Sequence, residues 1–214
     1  MLLVLAALTA AASAQPSDTQ PLTAEEFSTF SMSYFAQPRP DLIGRAMIFF
    51  DRSGYAESRN YQLPSMMTFS CIAHRAEQKD HQWTALINSL HEPARSQIRA
   101  AISSPPDDLL AHVPLSSQKN DMNWACYFAT GDTKYIHNLL DVAAHYGERN
   151  DKELYLIAAS AMWSLASNCR FPEVRRYLQS DNGAVARAVL STSPDALVAE
   201  IQNTLAEQQR KRVW

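Results

Sequence analysis

Residues 124–137 read Trp124-Ala125-Cys126-Tyr127-Phe128-Ala129-Thr130-Gly131-Asp132-Thr133-Lys134-Tyr135-Ile136-His137. The pattern describes the end of one helix, a very short turn and the start of the next. Trp124 and Phe128 are four residues apart and so share one helical face. Gly131 can take the left-handed conformation that closes a helix, and Asp132 can cap the following helix with its carboxylate. Helices joined this tightly must fold back on each other, so the stretch predicts an αα-hairpin.

The same logic extends downstream. Ile136, Leu139, Leu140 and Ala143 give the second helix its inward face, and Gly147 ends it. Asp151 is placed to cap a long helix to about Asn168, with Leu154, Ile157, Ala158, Ala161 and Leu165 on one face. The run Ala158-Ala159-Ser160-Ala161 has little bulk and would allow a close helix crossing. Pro172 opens a short helix, Asp181-Asn182-Gly183 reads as a turn, and Ser193-Pro194-Asp195 starts the last helix. Leu197, Val198, Ile201 and Leu205 are its predicted stripe.

Upstream, Thr23 and Glu26 fit a capping box. Phe27, Phe30, Tyr34 and Phe35 follow on one face until Pro38-Arg39-Pro40 stops the helix. Leu42, Ile43, Ala46, Met47 and Phe50 form the next stripe, and Gly54 ends it. A third helix runs from Pro64 to about Lys79, with Met67, Cys71 and His74 together on one face. Shorter helices contain Trp83, Ile87 and Leu90, then Glu92 to Ile102. Pro105-Pro106 with Asp107-Asp108 mark a break and an acidic helix start, and Leu109 to Leu115 is short. No segment alternates with the two-residue period of a strand. The expected class is all-α, with stacked antiparallel helical hairpins forming an irregular α-solenoid or a compact helical bundle. Residues 23–210 are read as one domain and 211–214 as a frayed tail.

The chain has 214 residues, 46% hydrophobic and 19% charged, which suits one globular domain. A formal charge of -3 and a pI near 6.1 offer no global attraction to nucleic acid or to an anionic membrane. Residues 1–14 combine an apolar run with Ala12-Ser13-Ala14, the pattern of a secretory signal peptide, although no Lys or Arg precedes the run. Residues 15–22 are polar with two prolines and read as a loose lead-in. After signal cleavage no stable membrane anchor is expected. Of the three cysteines, Cys71, Cys126 and Cys169, at most one intramolecular pair can form. Each falls in or at the end of a predicted helix, where a buried free thiol is the commoner state. Cys126 with Cys169 is the first pair to test.

Three strings, Tyr34-Phe35-Ala36-Gln37-Pro38-Arg39-Pro40-Asp41-Leu42-Ile43, Phe128-Ala129-Thr130-Gly131-Asp132-Thr133-Lys134-Tyr135-Ile136 and Ser164-Leu165-Ala166-Ser167-Asn168, carry a resemblance. The chain resembles a group of uncharacterised exported bacterial helical proteins that pair an aromatic–proline hairpin with a later Phe-Ala-Thr-Gly-Asp hairpin. The resemblance implies a bacterial envelope protein of stacked helices, and it carries no catalytic residue across.

Residues with chemistry to offer are few. His137, Asp141 and His145 are spaced i, i+4, i+8, and imidazoles with a carboxylate are plausible metal ligands. Measured against Ile136 they fall on the solvent side, and along the axis they span roughly 12 Å. A single ion could use two neighbours but hardly all three, and a solvated polar face is the plainer explanation. His74 and His81 lie seven residues apart across a helix end, and His74 reads as a partly buried residue with a hydrogen-bonded ring. Glu25-Glu26 and Asp107-Asp108 sit where the helix dipole favours acids. Arg210-Lys211-Arg212 beside Trp214 could meet an acidic partner or simply complement the dipole. Tyr34, Trp124 and Phe128, with Phe30, could surround a small ligand or pack the core. There is no nucleophile elbow, zinc-protease helix or phosphate loop, and no cofactor is implied. The expected function is a non-enzymatic scaffold that binds an envelope protein or peptide in the periplasm or outside the cell. The alternative is an envelope enzyme, or a small-ligand or metal-binding protein, with a site assembled from distant residues.

Overall fold

Gly131 takes φ +73°, and its N–H donates to the Tyr127 carbonyl at 2.7 Å, closing the helix that ends at Thr130. Asp132 turns the chain by accepting the Lys134 N–H at 3.0 Å, and the next helix begins there, one residue later than a direct Asp132 cap would place it. The computed structural model describes residues 20–75 and 81–211, without the side chains of His81 and Gln82. The expected signal peptide, residues 15–19 of the lead-in, the helix end at Lys79, the His81 side chain and Arg212 to Trp214 lie outside the described residues.

Twelve α-helices occur among the described residues. They are α1 (Ala24–Ser33), α2 (Ile43–Arg52), α3 (Gln62–Arg75), α4 (His81–Ser89), α5 (Ala94–Ser103) and α6 (Pro106–His112). They continue as α7 (Ser117–Thr130), α8 (Lys134–Ala143), α9 (Lys152–Asn168), α10 (Pro172–Ser180), α11 (Ala184–Ser191) and α12 (Pro194–Arg210). The starts follow local chemistry. Thr23 and Glu26 exchange backbone hydrogen bonds as a capping box, while Asp151 and Ser193 accept from Leu154 and Ala196. Gln20 to Leu22 is tied down rather than loose, because Leu22 is buried and Arg45 donates to the Gln20 carbonyl at 3.0 Å.

Helices α7 and α8 run antiparallel, as their tight turn requires. Asn138 of α8 donates to Asn123 of α7 across their turn. Against α3, by contrast, α7 is paired at a constant offset: Cys71 meets Cys126 and Arg75 donates to the Ala129 carbonyl. A constant offset means parallel axes. The same holds against α9, where Asn120 and Trp124 both bond residues 40 further on. Near the α7 C-terminus, Phe35, just after α1, donates its N–H to the Phe128 carbonyl at 2.9 Å. Thus α1, α3, α7 and α9 share a direction, and α7 packs against the other three.

The α3–α7 contact is the most extensive in the fold and carries a disulfide, Cys71–Cys126, with Cα atoms 5.4 Å apart. This corrects the expected buried thiols and the first-ranked Cys126–Cys169 pair. Cys126 is two residues past Trp124, roughly 200° round the helix, so it points away from the α9 side that Trp124 faces. Cys169 caps the C-terminus of α9 as a half-buried free thiol, its titration pushed up by burial. One further expectation is corrected: Val198 of the predicted last stripe is exposed, while Thr204 is buried. Residues 184–191, for which the sequence offers no clear signal, form α11.

Candidate functional site

Four helices of the common direction each present one stripe to a shared cavity of about 560 Å³. From α1 come Phe27, Ser28, Ser31 and Met32; from α3, Pro64, Ser65 and Thr68. From α7 come Asp121, Trp124, Ala125 and Phe128, the i, i+3, i+4, i+7 set of one face. From α9 come Trp163, Ser164, Ser167 and Asn168. Tyr55 and Tyr61 reach in from the loop before α3, and Arg170 from the end of α9. The space exists because serine, alanine and threonine stand where a sealed core would carry leucine or phenylalanine. Its volume lies within the roughly 300–1,000 Å³ of small-molecule sites.

The walls are fixed by packing and hydrogen bonds. Trp124 donates its indole N–H to Ser164 Oγ at 2.9 Å, and its ring stacks on Phe128 at 5.5 Å. Phe128 in turn meets the edge of Phe171 at 5.1 Å. On the opposite side Tyr55 packs edge-on against Phe27 and stacks with Tyr61 at 4.4 Å. Tyr61 and Trp163 keep 52% and 44% of their surface exposed, which makes them part of the rim rather than of the core. Asp121 is open to solvent at the mouth, but the surrounding protein desolvates it and pushes its carboxyl above the usual aspartate range. It makes no hydrogen bond or ion pair with the described residues. Arg170, the other charged side chain of the lining, holds its guanidinium 5.0 Å over the Phe171 ring.

A shallower apolar groove continues from Trp163 between α9 and α12. Leu156 and Ala159 form one bank, Val198 and Ile201 the other. Leu156 and Val198 are both substantially exposed, so the two helices meet without closing over this strip.

The structure separates the aromatic residues expected to form a pocket. Trp124 and Phe128 line the cavity, whereas Tyr34 is only 4% exposed, packs edge-on against Phe30 at 5.4 Å and belongs to the core. Its place at the C-cap of α1 continues the buried aromatic stripe, while Ser28 and Ser31 occupy the cavity-facing side. His137 and Asp141 point into solvent 3.8 Å apart, and His145 lies exposed in the 3-10 turn after α8. No group of three or more His, Cys, Asp or Glu among the described residues is placed to hold a metal ion. His74 is exposed, not half-buried, although its ring nitrogen does meet the Ser70 carbonyl at 2.9 Å. Sequence reading missed Asp121, Tyr61 and Trp163. The signal for Asp121 was present, since it lies three and seven residues before Trp124 and Phe128. No family model, curated protein or solved structure matches this chain.

Proposed function

We propose that this chain is a binding protein of the bacterial cell envelope that holds a small, ring-bearing apolar molecule between α1, α3, α7 and α9. The observation that carries this is the aromatic cavity, with Trp124 and Phe128 fixed in its wall and Tyr61 and Trp163 at its rim. Export rests on the apolar leader at residues 1–14 and is supported by the Cys71–Cys126 disulfide, which persists in oxidising compartments. Burying a bicyclic ring there would contribute several kcal/mol at about 25 cal/mol per Å², offset in part by lost ligand freedom. A dissociation constant of about 10–100 µM is expected for an unoptimised probe. Fluorescence titration with N-phenylnaphthylamine tests this. Saturable enhancement at one dye per chain, lost when Ser28→Phe blocks the mouth in a protein of unchanged circular dichroism, is the expected result. No saturable binding would sink the proposal.

The groove continuing past Trp163 favours a second reading, the protein- or peptide-binding scaffold. In it an apolar side chain fills the cavity and the rest of a peptide lies along Leu156, Val198 and Ile201. Cross-linked pull-down from the native envelope would compare the wild type with Val198→Asp, a change at a position 40% exposed. This reading expects one near-stoichiometric partner with the wild type and none with the variant. Equal recovery from both would end it.

A further inference from the structure

We propose that the cavity selects an organic cation, an ammonium group on an apolar ring-bearing body, with Asp121 facing the charge and the aromatic walls holding the body. This rests on the ligand-binding reading above and deepens it. Asp121 and Arg170 are the two charged side chains lining the cavity among the described residues. They are not equivalent. Arg170 lies over the Phe171 ring, which offers its cation a partner, whereas Asp121 has neither an ion pair nor a hydrogen bond there.

An unpaired carboxylate beside apolar walls is unfavourable, and the chemistry that compensates it is a cation or a strong donor. The surrounding rings work in the same direction. Trp124, Trp163 and Tyr61 carry negative electrostatic potential on their faces, which attracts ammonium groups and repels carboxylates. Asp121 shares its helical face with Trp124 and Phe128, so charge and ring contacts are presented to the same occupant. A neutral ring molecule would gain the apolar contacts but leave Asp121 uncompensated. An anionic one would meet like charge. Serine and threonine hydroxyls on α1 and α3 allow water or polar substituents at the edge without supplying a competing cation.

The test is displacement of N-phenylnaphthylamine from the purified full chain by three probes that share one ring system. These are naphthylmethyl-trimethylammonium, naphthylmethanol and naphthylacetate. The wild type is expected to bind the ammonium probe about tenfold or more tighter than the alcohol, with the acetate weakest. Asp121→Asn is expected to weaken the ammonium probe the most, cutting the preference for the cation to the smaller part that the rings supply. Equal binding of cation and alcohol, or preference for the acetate, would overturn the cation assignment while leaving the ligand-binding reading intact. Failure of all probes and of the dye to bind folded protein would overturn both.

Discussion

Asp121 shares its helical face with Trp124, Ala125 and Phe128, and no described residue neutralises it. Such a group costs stability when ionised, and the sign of the effect can be followed with pH. Its folded-state titration lies above the ordinary value of 3.8 because the cavity walls desolvate it. The folded state therefore favours the protonated form. Stability from this site is greatest below the ordinary value and is lost as pH rises through the raised folded one. Asp121→Asn removes the charge, so the variant should be more stable than wild type at pH 7. Water at the open mouth screens part of the cost, keeping the gain under about 1 kcal/mol, or about 1–4 °C in Tm. The gain should vanish in acid, below the ordinary aspartate range, where the wild-type carboxyl is protonated in both states. Paired thermal melts at the two pH values check this, and a pH-independent difference would contradict it. Sequence reading stopped at Trp124 and Phe128 because it followed apolar residues. An acid on an apolar face was legible as a spacing, but nothing local said that the face was left uncovered.

At the scale of the element, the hairpin at Thr130 to Lys134 explains why each small residue stands where it does. Thr130 Oγ1 donates to the Cys126 carbonyl at 2.7 Å and accepts the Asp132 N–H at 3.1 Å. Asp132 then receives Lys134, and Gly131 makes the turn at φ +73°. A Cβ at Gly131 would stand 2.8 Å from the Phe35 ring, itself pinned through its N–H to the Phe128 carbonyl. Gly131→Ala therefore combines a left-handed backbone penalty with displacement of an aromatic ring that joins α1 to α7. We expect a loss of about 1–3 kcal/mol in urea unfolding. Gly147→Ala is the control, since a Cβ there meets no atom within 4 Å and φ is not positive, and it should change stability by less than about 0.5 kcal/mol. A comparable effect of the two would contradict both the backbone penalty and the Phe35 contact. Helices with a clear apolar period and a cap, such as α1 and α9, were legible in the sequence, and α7 and α8 were legible from the Gly131 turn between them. By contrast, α11 was not, because its eight residues follow a turn signal and bury only Ala186 and Val189.

At the scale of the whole molecule, what the sequence could not display was the lateral order of the helices. Hairpin reading joins neighbours in the chain, yet the principal contact is between α3 and α7, with α4, α5 and α6 between them in sequence. Cys71 and Cys126 close that contact across a separation of 55 residues. Both cysteines are fully buried, and both of their helices line the cavity. In the chain-entropy view, cross-linking across that separation restricts the unfolded chain by about 4 kcal/mol. That is a large share of the roughly 5–15 kcal/mol typical of a domain. The double variant Cys71→Ala with Cys126→Ala should therefore lose about 3–5 kcal/mol in urea unfolding. Cys169→Ser, made at the free and half-buried thiol, should lose much less. Dye binding separates the two consequences of the bond. If the disulfide only restrains the unfolded chain, the double variant still binds N-phenylnaphthylamine with wild-type affinity at low temperature, where it remains folded. If it also holds α3 in register against α7, the stripes carrying Thr68 and Trp124 shift relative to each other and the affinity falls. The paired buried core around Met67, Ile72, Met122 and Ala129 argues that packing already sets the register. The first outcome is the one we expect: lowered stability with the cavity retained.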